Sequence, residues 1–453
     1  AVATTHPLAA QAGLQMMQAG GNAIDAIIAT AAVLTVVEPC SNGLGSDLFA
    51  LIWSPQDKAL HGLNSSGRSP QAWTPDTFKG MDSVPMRGWM SVSVPGAIAG
   101  WVALSKRYGK LPFADLLAPA IDIAERGYMV TPIIASQWAR AVPILQNQPG
   151  YAEHFMPHGR APLPGELFRN PAQAESLRLI AESEGESFYR GQLAARIVAH
   201  AKAHGGLMTG IDLAAHVADW VEPIRMGYRG YEVAEIPPNG QGIAALMALG
   251  MLDDFDLKAL GPNHPDYWHL SIEAMKLAFR DVHAQVADPE YMNVSASAML
   301  DRDFLKSRAK LIDLKRAQDF SPSAELRGGT VYLNAADESG LMVSLIQSNY
   351  YGFGSGVVVD GISLQNRAYG FTLDPAHPNC VAGGKRPFHT IIPGFILKDG
   401  QPVGPFGVMG GHMQPQGHMQ TAIRMIDFGE NPQAALDGPR FRVEQGLEVD
   451  LEP

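Results

Sequence analysis

A short apolar stretch near the start of the chain, Leu48–Trp53 with the sequence LFALIW, decides the fold. A continuous apolar run of this length, bounded by turn-forming residues, is typical of a β-strand that is buried on both faces. The turn Ser54–Asp57 follows it, and Ala59–Leu63 can return beside it as the second strand of a hairpin. The glycine-rich turn Ser41–Ser46 precedes it. The stretch therefore predicts a buried β-hairpin.

Two helices are predicted before this hairpin. Apolar residues recur at helical spacing over Leu8–Ala19, and a pair of glycines can end that helix. Asn22 can cap a second helix, which is apolar almost all round until a proline ends it. Such a helix packs inside a protein. Its apolar part, Ala23–Val37, contains an aspartate and falls short of the ~20 residues that a membrane-spanning helix needs, so we expect no membrane span.

The rest of the chain divides into a helical middle and a β-rich end. Helical patterns in the middle are Ala97–Arg107, Phe113–Arg126 and Asp266–His283. Later patterns predict strands at Val331–Leu333, Leu341–Gln347, Gly356–Asp360 and Thr390–Leu397, and a helix at Gln416–Asp427. Strands at both ends of the chain with helices between them predict one α/β body whose sheets draw on distant segments.

The composition indicates a globular protein with a small-molecule partner. The chain has 453 residues, of which 46% are hydrophobic and 17% charged, so it has ample material for a core. Its formal net charge is −11 and it has no basic run, whereas phosphate binding needs an excess of Lys and Arg on one face. We therefore expect a small-molecule partner and no nucleic acid.

The start of the chain and its cysteines bear on cellular location. The opening from Ala1 lacks a basic segment followed by an apolar one, so no export signal is visible. Cys40 and Cys380 lie in no CxxC motif, which leaves no indication of a disulfide framework or a zinc cage. We expect a cytoplasmic location, with the periplasm or secretion as the open alternative.

Two other patterns imitate cofactor sites. Tyr231–Ile236 followed by Gly240–Ala245 imitates the GxGxxA turn of a dinucleotide-binding fold, but two prolines interrupt the strand and no strand-borne acid follows about 20 residues later. His389, His412 and His418 have neither HExxH nor zinc-finger spacing. We interpret the first pattern as the start of a packed helix, and we expect neither a metal nor another cofactor.

Two glycine pairs remain as candidates for chemistry. Gly328 and Gly329 stand before Thr330 and permit tight backbone geometry. Gly410 and Gly411 offer successive backbone N–H groups with no side chains in the way. On these residues alone each pair can be either a turn or a site.

Short motifs spread over nearly the whole chain match one family in that family's order. They are Thr5–Ala9, Ala19–Ala26, Val37–Pro39, Gly67–Pro70, Val94–Gly96, Tyr228–Tyr231, Pro237–Pro238, Thr330–Gly340, Phe353–Gly356, Gly384–Pro387, Gly410–Gly411 and Ala434–Arg440. Together they resemble the γ-glutamyltranspeptidases. The resemblance is specific because it does not depend on any single motif.

The resemblance implies an α/β (α+β) fold, the four-layer αββα sandwich of the N-terminal nucleophile hydrolases. It implies a precursor that cuts itself between Gly329 and Thr330. The products would be a large-subunit segment, 1–329, and a small-subunit segment, 330–453, interleaved in one globular unit. We expect the two chains to stay associated, with a homodimer of the pair as an open alternative.

The resemblance also assigns catalytic roles. The Thr330 hydroxyl would be the nucleophile, and its freed α-amine, with a pKa of about 7.7–8.0, would take the hydroxyl proton. Gly410 and Gly411 match the glycines of the family's oxyanion hole. Ser348 occupies the position of a second threonine whose hydroxyl supports the nucleophile.

The substrate-binding positions match the family only in part. Arg68 matches the arginine that binds the substrate's carboxylate, whereas the aspartate that binds the glutamyl amino group is replaced by Gly370. Other positions expected to bind substrate are Tyr350, Arg367, His389 and Thr390, of which Tyr350 replaces an asparagine and the last two replace paired serines.

Three functional hypotheses follow. The first is transfer of a γ-glutamyl group, as from glutathione, to water or an amine. The second is hydrolysis of glutaryl-type amides, because Ser348–Tyr350 and Gly410–His418 resemble a divergent branch of the family that includes cephalosporin acylases. The third is a non-catalytic binding protein that kept the fold.

Overall fold

The computed structural model describes residues 1–320 and 329–453. The strands are β1 (Val2–Thr4), β2 (Asp47–Ser54), β3 (Ala59–Ser65), β4 (Tyr128–Met129), β5 (Leu167–Phe168), β6 (Asp219–Val221), β7 (Ile224–Tyr228), β8 (Tyr231–Glu235), β9 (Gly329–Ala336), β10 (Met342–Tyr350), β11 (Val358–Val359), β12 (Ile362–Ser363), β13 (Gly394–Lys398), β14 (Gln401–Phe406), β15 (Phe441–Gln445) and β16 (Glu448–Leu451).

The helices begin and end as follows: α1 (Pro7–Gln18), α2 (Ala23–Val37), α3 (Ala97–Tyr108), α4 (Phe113–Arg126), α5 (Pro132–Leu145), α6 (Tyr151–Phe155), α7 (Pro171–Glu182), α8 (Glu186–Tyr189), α9 (Gln192–Ala203), α10 (Gly210–Ala214), α11 (Ile243–Leu252), α12 (Leu257–Leu260), α13 (Pro265–Gln285), α14 (Ala296–Met299), α15 (Arg302–Ala309), α16 (Met413–Ile426) and α17 (Pro432–Asp437). Short 3₁₀ turns lie at Pro75–Phe78, Trp89–Ser91, Pro289–Tyr291 and Arg367–Gly370. In the described parts of the chain, no helix is long and apolar enough to cross a membrane.

Two antiparallel sheets form the middle of the molecule. The first has the strand order β1-β9-β10-β2-β3-β6, and the second has the order β14-β13-β8-β7. Each sheet joins strands from before Thr330 to strands from after it. The pairing of β8 with antiparallel neighbours on both sides also differs from the parallel βαβ unit that the GxGxxA pattern imitates.

The run Leu48–Trp53 explains how the sheets stack, because successive side chains of a strand point to opposite faces. Phe49, Leu51 and Trp53 pack between the two sheets with Phe395 and other residues of the second sheet. Their alternating neighbours, Leu48, Ala50 and Ile52, join the core on the opposite face. Both faces are buried, as a continuous apolar run predicts.

Helices cover the outer face of each sheet. The buried helix α2 packs on β9 and β10, and its predicted cap is confirmed: the Asn22 side chain accepts bonds from the backbone of the first turn, and the Asp25 carboxylate accepts one from the Asn22 N–H. On the other side, α11, α13 and α16 build a second core against β7, β8 and β13. The layers are therefore helix, sheet, sheet and helix, which confirms the predicted αββα fold.

Two predicted strands are wrong in extent. The strand predicted at Thr390–Leu397 is Gly394–Lys398 in the structure, because the residues before it bond to side chains and not to a ladder: the Ile391 N–H donates to His389 Nδ1 and the Ile392 N–H to Gln414 Oε1. Pro393 also has no N–H for a ladder. Of Gly356–Asp360, only β11 is extended, and it pairs locally with β12.

Candidate active site

Thr330 lies at the start of β9, opposite a bulge in β10. Gln347 pairs with Val331 and Tyr350 pairs with Gly329. Two residues of β10, Ser348 and Asn349, therefore lie opposite the single residue Thr330. Such a bulge re-aims side chains, and here it brings the Ser348 hydroxyl to 3.3 Å from the Thr330 hydroxyl. Gly328, the other member of the predicted pair, lies outside the described residues.

The hydrogen bonds around Ser348 fix the direction of its proton. The Thr330 hydroxyl, the Tyr350 backbone N–H and an Arg367 N–H all donate to Ser348 Oγ, at 3.3, 2.8 and 3.4 Å. A hydroxyl has a single proton to donate, and that proton goes to the Gly329 carbonyl oxygen, 2.7 Å away. Ser348 thus polarises the carbonyl of the peptide bond between Gly329 and Thr330.

A buried arginine stands behind Ser348. Arg367 has no exposed surface; one of its N–H groups donates to Thr390 Oγ1 at 2.8 Å, and its guanidinium carbon lies 4.1 Å from the centre of the Tyr350 ring. Burial lowers the pKa of Arg367 to about 10, while nearby Asp47 opposes this shift. The guanidinium therefore stays charged at neutral pH. Tyr350, with φ 79°, takes a backbone conformation that is rare outside glycine.

Asp47 belongs to the same buried cluster as Arg367 and Ser348, although sequence reasoning missed it. It is the first residue of β2 and stands opposite Ser348 in the ladder between β2 and β10. Its carboxylate lies 3.9 Å from Arg367 Nε and accepts from the Gly67 N–H at 3.2 Å. Burial raises the pKa of Asp47 to about 7, and Arg367 and the Gly67 bond oppose that rise.

His389 binds the same carboxylate. Burial lowers the pKa of His389 well below its usual value, so its ring is neutral. The Ile391 N–H donates to Nδ1 at 3.3 Å, which leaves the ring proton on Nε2 for Asp47, 3.0 Å away. The structure thus brings together Thr330, Ser348, Tyr350, Arg367, Thr390 and His389.

The pair Gly410 and Gly411 forms the turn before α16. Their φ values of 115° and 60° lie in the left-handed region, where a side chain is strained. Gln241, a second residue that sequence reasoning missed, holds this turn: its amide donates to the carbonyls of Gly411 and Thr390 at 2.9 and 2.7 Å. The Gln241 side chain also bonds to His412 Nδ1 at 2.9 Å.

A cleft of about 870 Å³ opens over Thr330. Thr330 and Gly410 both line it. Its apolar wall residues include Ile133, Ile134, Phe353 and Met409, and its polar ones include Glu38, Gln137 and Arg140. Burial raises the pKa of Glu38, which also has a side-chain hydrogen bond with Thr5. The cleft thus combines an apolar wall with a few polar side chains.

Arg68 binds other parts of the protein. One of its N–H groups bonds to the Asp288 carboxylate at 2.9 Å and to the Gly384 carbonyl at 3.1 Å, and the side chain lines a separate pocket of about 120 Å³. It is not among the residues that line the cleft over Thr330. Its predicted contact with substrate stays a prediction.

Gly370, where the resemblance predicts the loss of an aspartate, leaves little space for a side chain. A Cβ atom on Gly370 would lie 2.9 Å from the backbone oxygen of Phe388, closer than real contacts allow. An acidic side chain would need the Phe388 backbone to move.

The histidines of the sequence pattern have partners within the protein. His418 Nδ1, for example, lies 2.6 Å from the Glu235 carboxylate. Over residues 1–320 and 329–453, no cluster of His, Cys, Asp or Glu could hold a metal ion.

The chain is similar to known proteins over nearly its whole length. The family model described as gamma-glutamyltranspeptidase matches residues 9–453. The glutathione hydrolase-like YwrD proenzyme of Bacillus subtilis (strain 168) is 39% identical over 97% of this chain and 84% of its own length. The oxamate amidohydrolase proenzyme of Klebsiella pneumoniae subsp. pneumoniae is 38% identical, over 96% and 83%. The crystal structure of cephalosporin acylase from Bacillus halodurans has a TM-score of 0.96 and 52% identity, over 100% of this chain and 85% of that one.

Proposed function

The chain belongs to the γ-glutamyltranspeptidase family of hydrolases and transferases, and from this premise we propose that it is an amide hydrolase with an N-terminal threonine nucleophile. The observation that carries the proposal is the pair of contacts at Ser348, which bonds to both the Thr330 hydroxyl and the Gly329 carbonyl. These contacts support the proposal, because the hydroxyl that would attack and the hydroxyl that would polarise the carbonyl both lie at one peptide bond.

Self-cleavage would free the α-amine of Thr330. The Thr330 hydroxyl oxygen attacks the Gly329 carbonyl carbon, while the Ser348 proton stabilises the negative charge that develops on the carbonyl oxygen. The C–N bond then breaks, the hydroxyl proton ends on the departing nitrogen, and an ester joins Gly329 to Thr330. Water hydrolyses that ester, which leaves a carboxylate on Gly329 and a free α-amine on Thr330.

The mature enzyme would use this amine as its base. With a pKa of about 7.7–8.0, a useful fraction of the amine is neutral at physiological pH and can take the hydroxyl proton. Thr330 then attacks the amide of the substrate, the amine product leaves, and the acyl group passes from the threonine ester to water or to another amine. The backbone N–H groups of Gly410 and Gly411 would stabilise the oxyanion, and losing one such donor costs about 2.7–4 kcal/mol.

The acyl donor is the finer part of the proposal. Both a γ-glutamyl and a glutaryl group carry a carboxylate at the far end, and they differ in the ammonium group that only the former has. Gly370 has no acidic side chain where the resemblance predicts the partner of that ammonium group, and the nearby Phe388 backbone leaves little room for one. The likeness to a cephalosporin acylase points the same way. We therefore favour a glutaryl-type donor, with γ-glutamyl transfer as the second candidate.

Paired substrates test this preference. The purified two-chain enzyme is given glutaryl p-nitroanilide or γ-glutamyl p-nitroanilide, and kcat/KM is measured with and without an amine acceptor. We expect faster release of nitroaniline from the glutaryl compound. A clear preference for the γ-glutamyl compound would make the second candidate the correct one. An enzyme that releases no nitroaniline from either, and in which an acylating reagent does not label Thr330, would support the non-catalytic alternative.

A further inference from the structure

An arginine, Arg140, shares the cleft with Thr330. Arg140 lies on α5, on the exposed side of the helix, and lines the same cleft as Thr330 and Gly410. Among the described residues, no carboxylate or carbonyl forms an ion pair or hydrogen bond with its guanidinium. A charged, planar group with five N–H donors is therefore free to bind a ligand in the cleft.

Three other arginines already have partners within the protein. Arg68 binds the Asp288 carboxylate and lines the separate pocket. Arg367 has no exposed surface and binds Thr390 and Ser348. Arg87 donates to the carbonyls of Gly352 and Gly354. Among the described residues that line the cleft, Arg140 is the only Lys or Arg.

The other side chains of the cleft suit an apolar chain that ends in a carboxylate. Its one Asp or Glu among the described lining residues, Glu38, has a hydrogen-bond partner in Thr5, and burial raises its pKa. The apolar side chains of Ile133, Phe353 and Met409 also line the cleft and suit a chain of methylene groups. A donor with an amide at one end, methylenes in the middle and a carboxylate at the other end matches these surfaces in kind.

We propose that Arg140 is a specificity-determining residue that binds the distal carboxylate of the acyl donor. The planar guanidinium can make two parallel hydrogen bonds to a carboxylate, which fixes the direction of the acyl chain as well as its charge. The inference rests on the proposed function, because it assumes that the acyl donor lies in the cleft over Thr330.

The test compares two substrates that differ in one group. Glutaryl p-nitroanilide carries a terminal carboxylate where pentanoyl p-nitroanilide carries a methyl group. The ratio of their kcat/KM values is measured for the wild-type protein and for Arg140→Ala, Arg140→Lys, Arg68→Ala and Arg126→Ala. Arg126 is the matched control, because it is an exposed arginine at the end of α4 that pairs with Asp122 outside the cleft. A gel confirms the two-chain form of each variant before assay.

We expect the ratio to fall about 10-fold to 100-fold in Arg140→Ala, as for the loss of a charge-assisted bond, to be intermediate in Arg140→Lys, and to be unchanged in Arg126→Ala. An unchanged ratio in Arg140→Ala overturns the inference while leaving the proposed function intact, and a fall in Arg68→Ala alone assigns the carboxylate to Arg68 instead. A wild-type protein that hydrolyses neither anilide overturns the inference together with the proposed function.

Discussion

The Ser348 hydroxyl lies 2.7 Å from the Gly329 carbonyl oxygen and donates its proton to it. This contact exists because the bulge in β10 turns Ser348 toward the first residues of β9. It links two functions in one side chain, since the same oxygen accepts a hydrogen bond from Thr330. A substitution at Ser348 is therefore expected to affect both the proposed self-cleavage and the proposed turnover of substrate.

Ser348→Ala should slow self-cleavage. The variant loses the group that polarises the Gly329 carbonyl, and we expect a rate about 10-fold to 100-fold lower, in line with the loss of one hydrogen bond to a charged group. The rate is measured by following the uncut chain on denaturing gels after synthesis in vitro. Ser344→Ala is the control, because Ser344 is also buried on β10 but bonds to the Tyr332 hydroxyl. Equal cleavage rates in the two variants would contradict the assigned role.

Asp47 should make stability depend on pH. Its pKa is raised from an ordinary value near 4 to about 7 by burial, so the folded protein holds its proton more tightly than the unfolded chain. This contribution to stability is fully present below about pH 4 and is lost as the pH rises through 7, with a slope of up to about 1.4 kcal/mol per pH unit.

The measurement compares denaturation midpoints at pH 5 and pH 7.5 in the wild-type protein and in Asp47→Asn. We expect the wild-type protein to lose more stability than the variant on going to the higher pH, because an asparagine side chain does not ionise. A pH dependence that is the same in both proteins would show that Asp47 does not titrate in this range.

Gly370→Ala should destabilise the fold without changing the chemistry of Thr330. The new Cβ would lie 2.9 Å from the Phe388 backbone oxygen, and relieving such overpacking costs about 1–3 kcal/mol. Urea denaturation of the variant measures this cost. Gly210→Ala is the control, since a Cβ there meets nothing within 4 Å. Equal midpoints for the two variants would mean that space at residue 370 does not exclude an aspartate.

Gln241→Met should lower kcat more than it changes KM. The side chain of Gln241 holds the carbonyls of Gly411 and Thr390, so its loss would loosen the turn proposed to stabilise the oxyanion. We expect kcat to fall about 10-fold, less than the about 10²-fold to 10³-fold loss that follows removal of an oxyanion-hole donor, because the donors would be loosened and not lost. Gln420→Met is the control, because the Gln420 amide donates to the carbonyls of Gln416 on α16 and Phe441 on β15 and not to those of Gly411 and Thr390. The same loss of kcat in both variants would indicate a general loss of packing.

The sequence predicted the parts of the fold that depend on local patterns. The predictions of a strand at Leu48–Trp53 and a helix at Ala23–Val37 are confirmed, because each segment carries a strong, continuous apolar pattern. Both elements are buried inside the sandwich. The strand predicted at Thr390–Leu397 was wrong at its start, because side-chain partners such as Gln414, which accepts from the Ile392 N–H, replaced the ladder there.

The parts of the site that sequence reasoning missed depend on contacts between distant segments. Asp47 faces Ser348 through the register of β2 against β10, some 300 residues apart along the chain, and no local pattern records that register. The one local signal is an acid placed between a glycine-rich turn and a buried strand. Gln241 was hidden inside the pattern that imitates a nucleotide-binding turn.

Intact-mass analysis of the purified protein and of Thr330→Ala tests the central claim most directly. We predict that the wild-type protein gives two chains, one ending at Gly329 and one beginning at Thr330, and that the variant gives a single uncut chain. A variant cut at the same bond, or a wild-type protein left whole at that bond, would contradict the account.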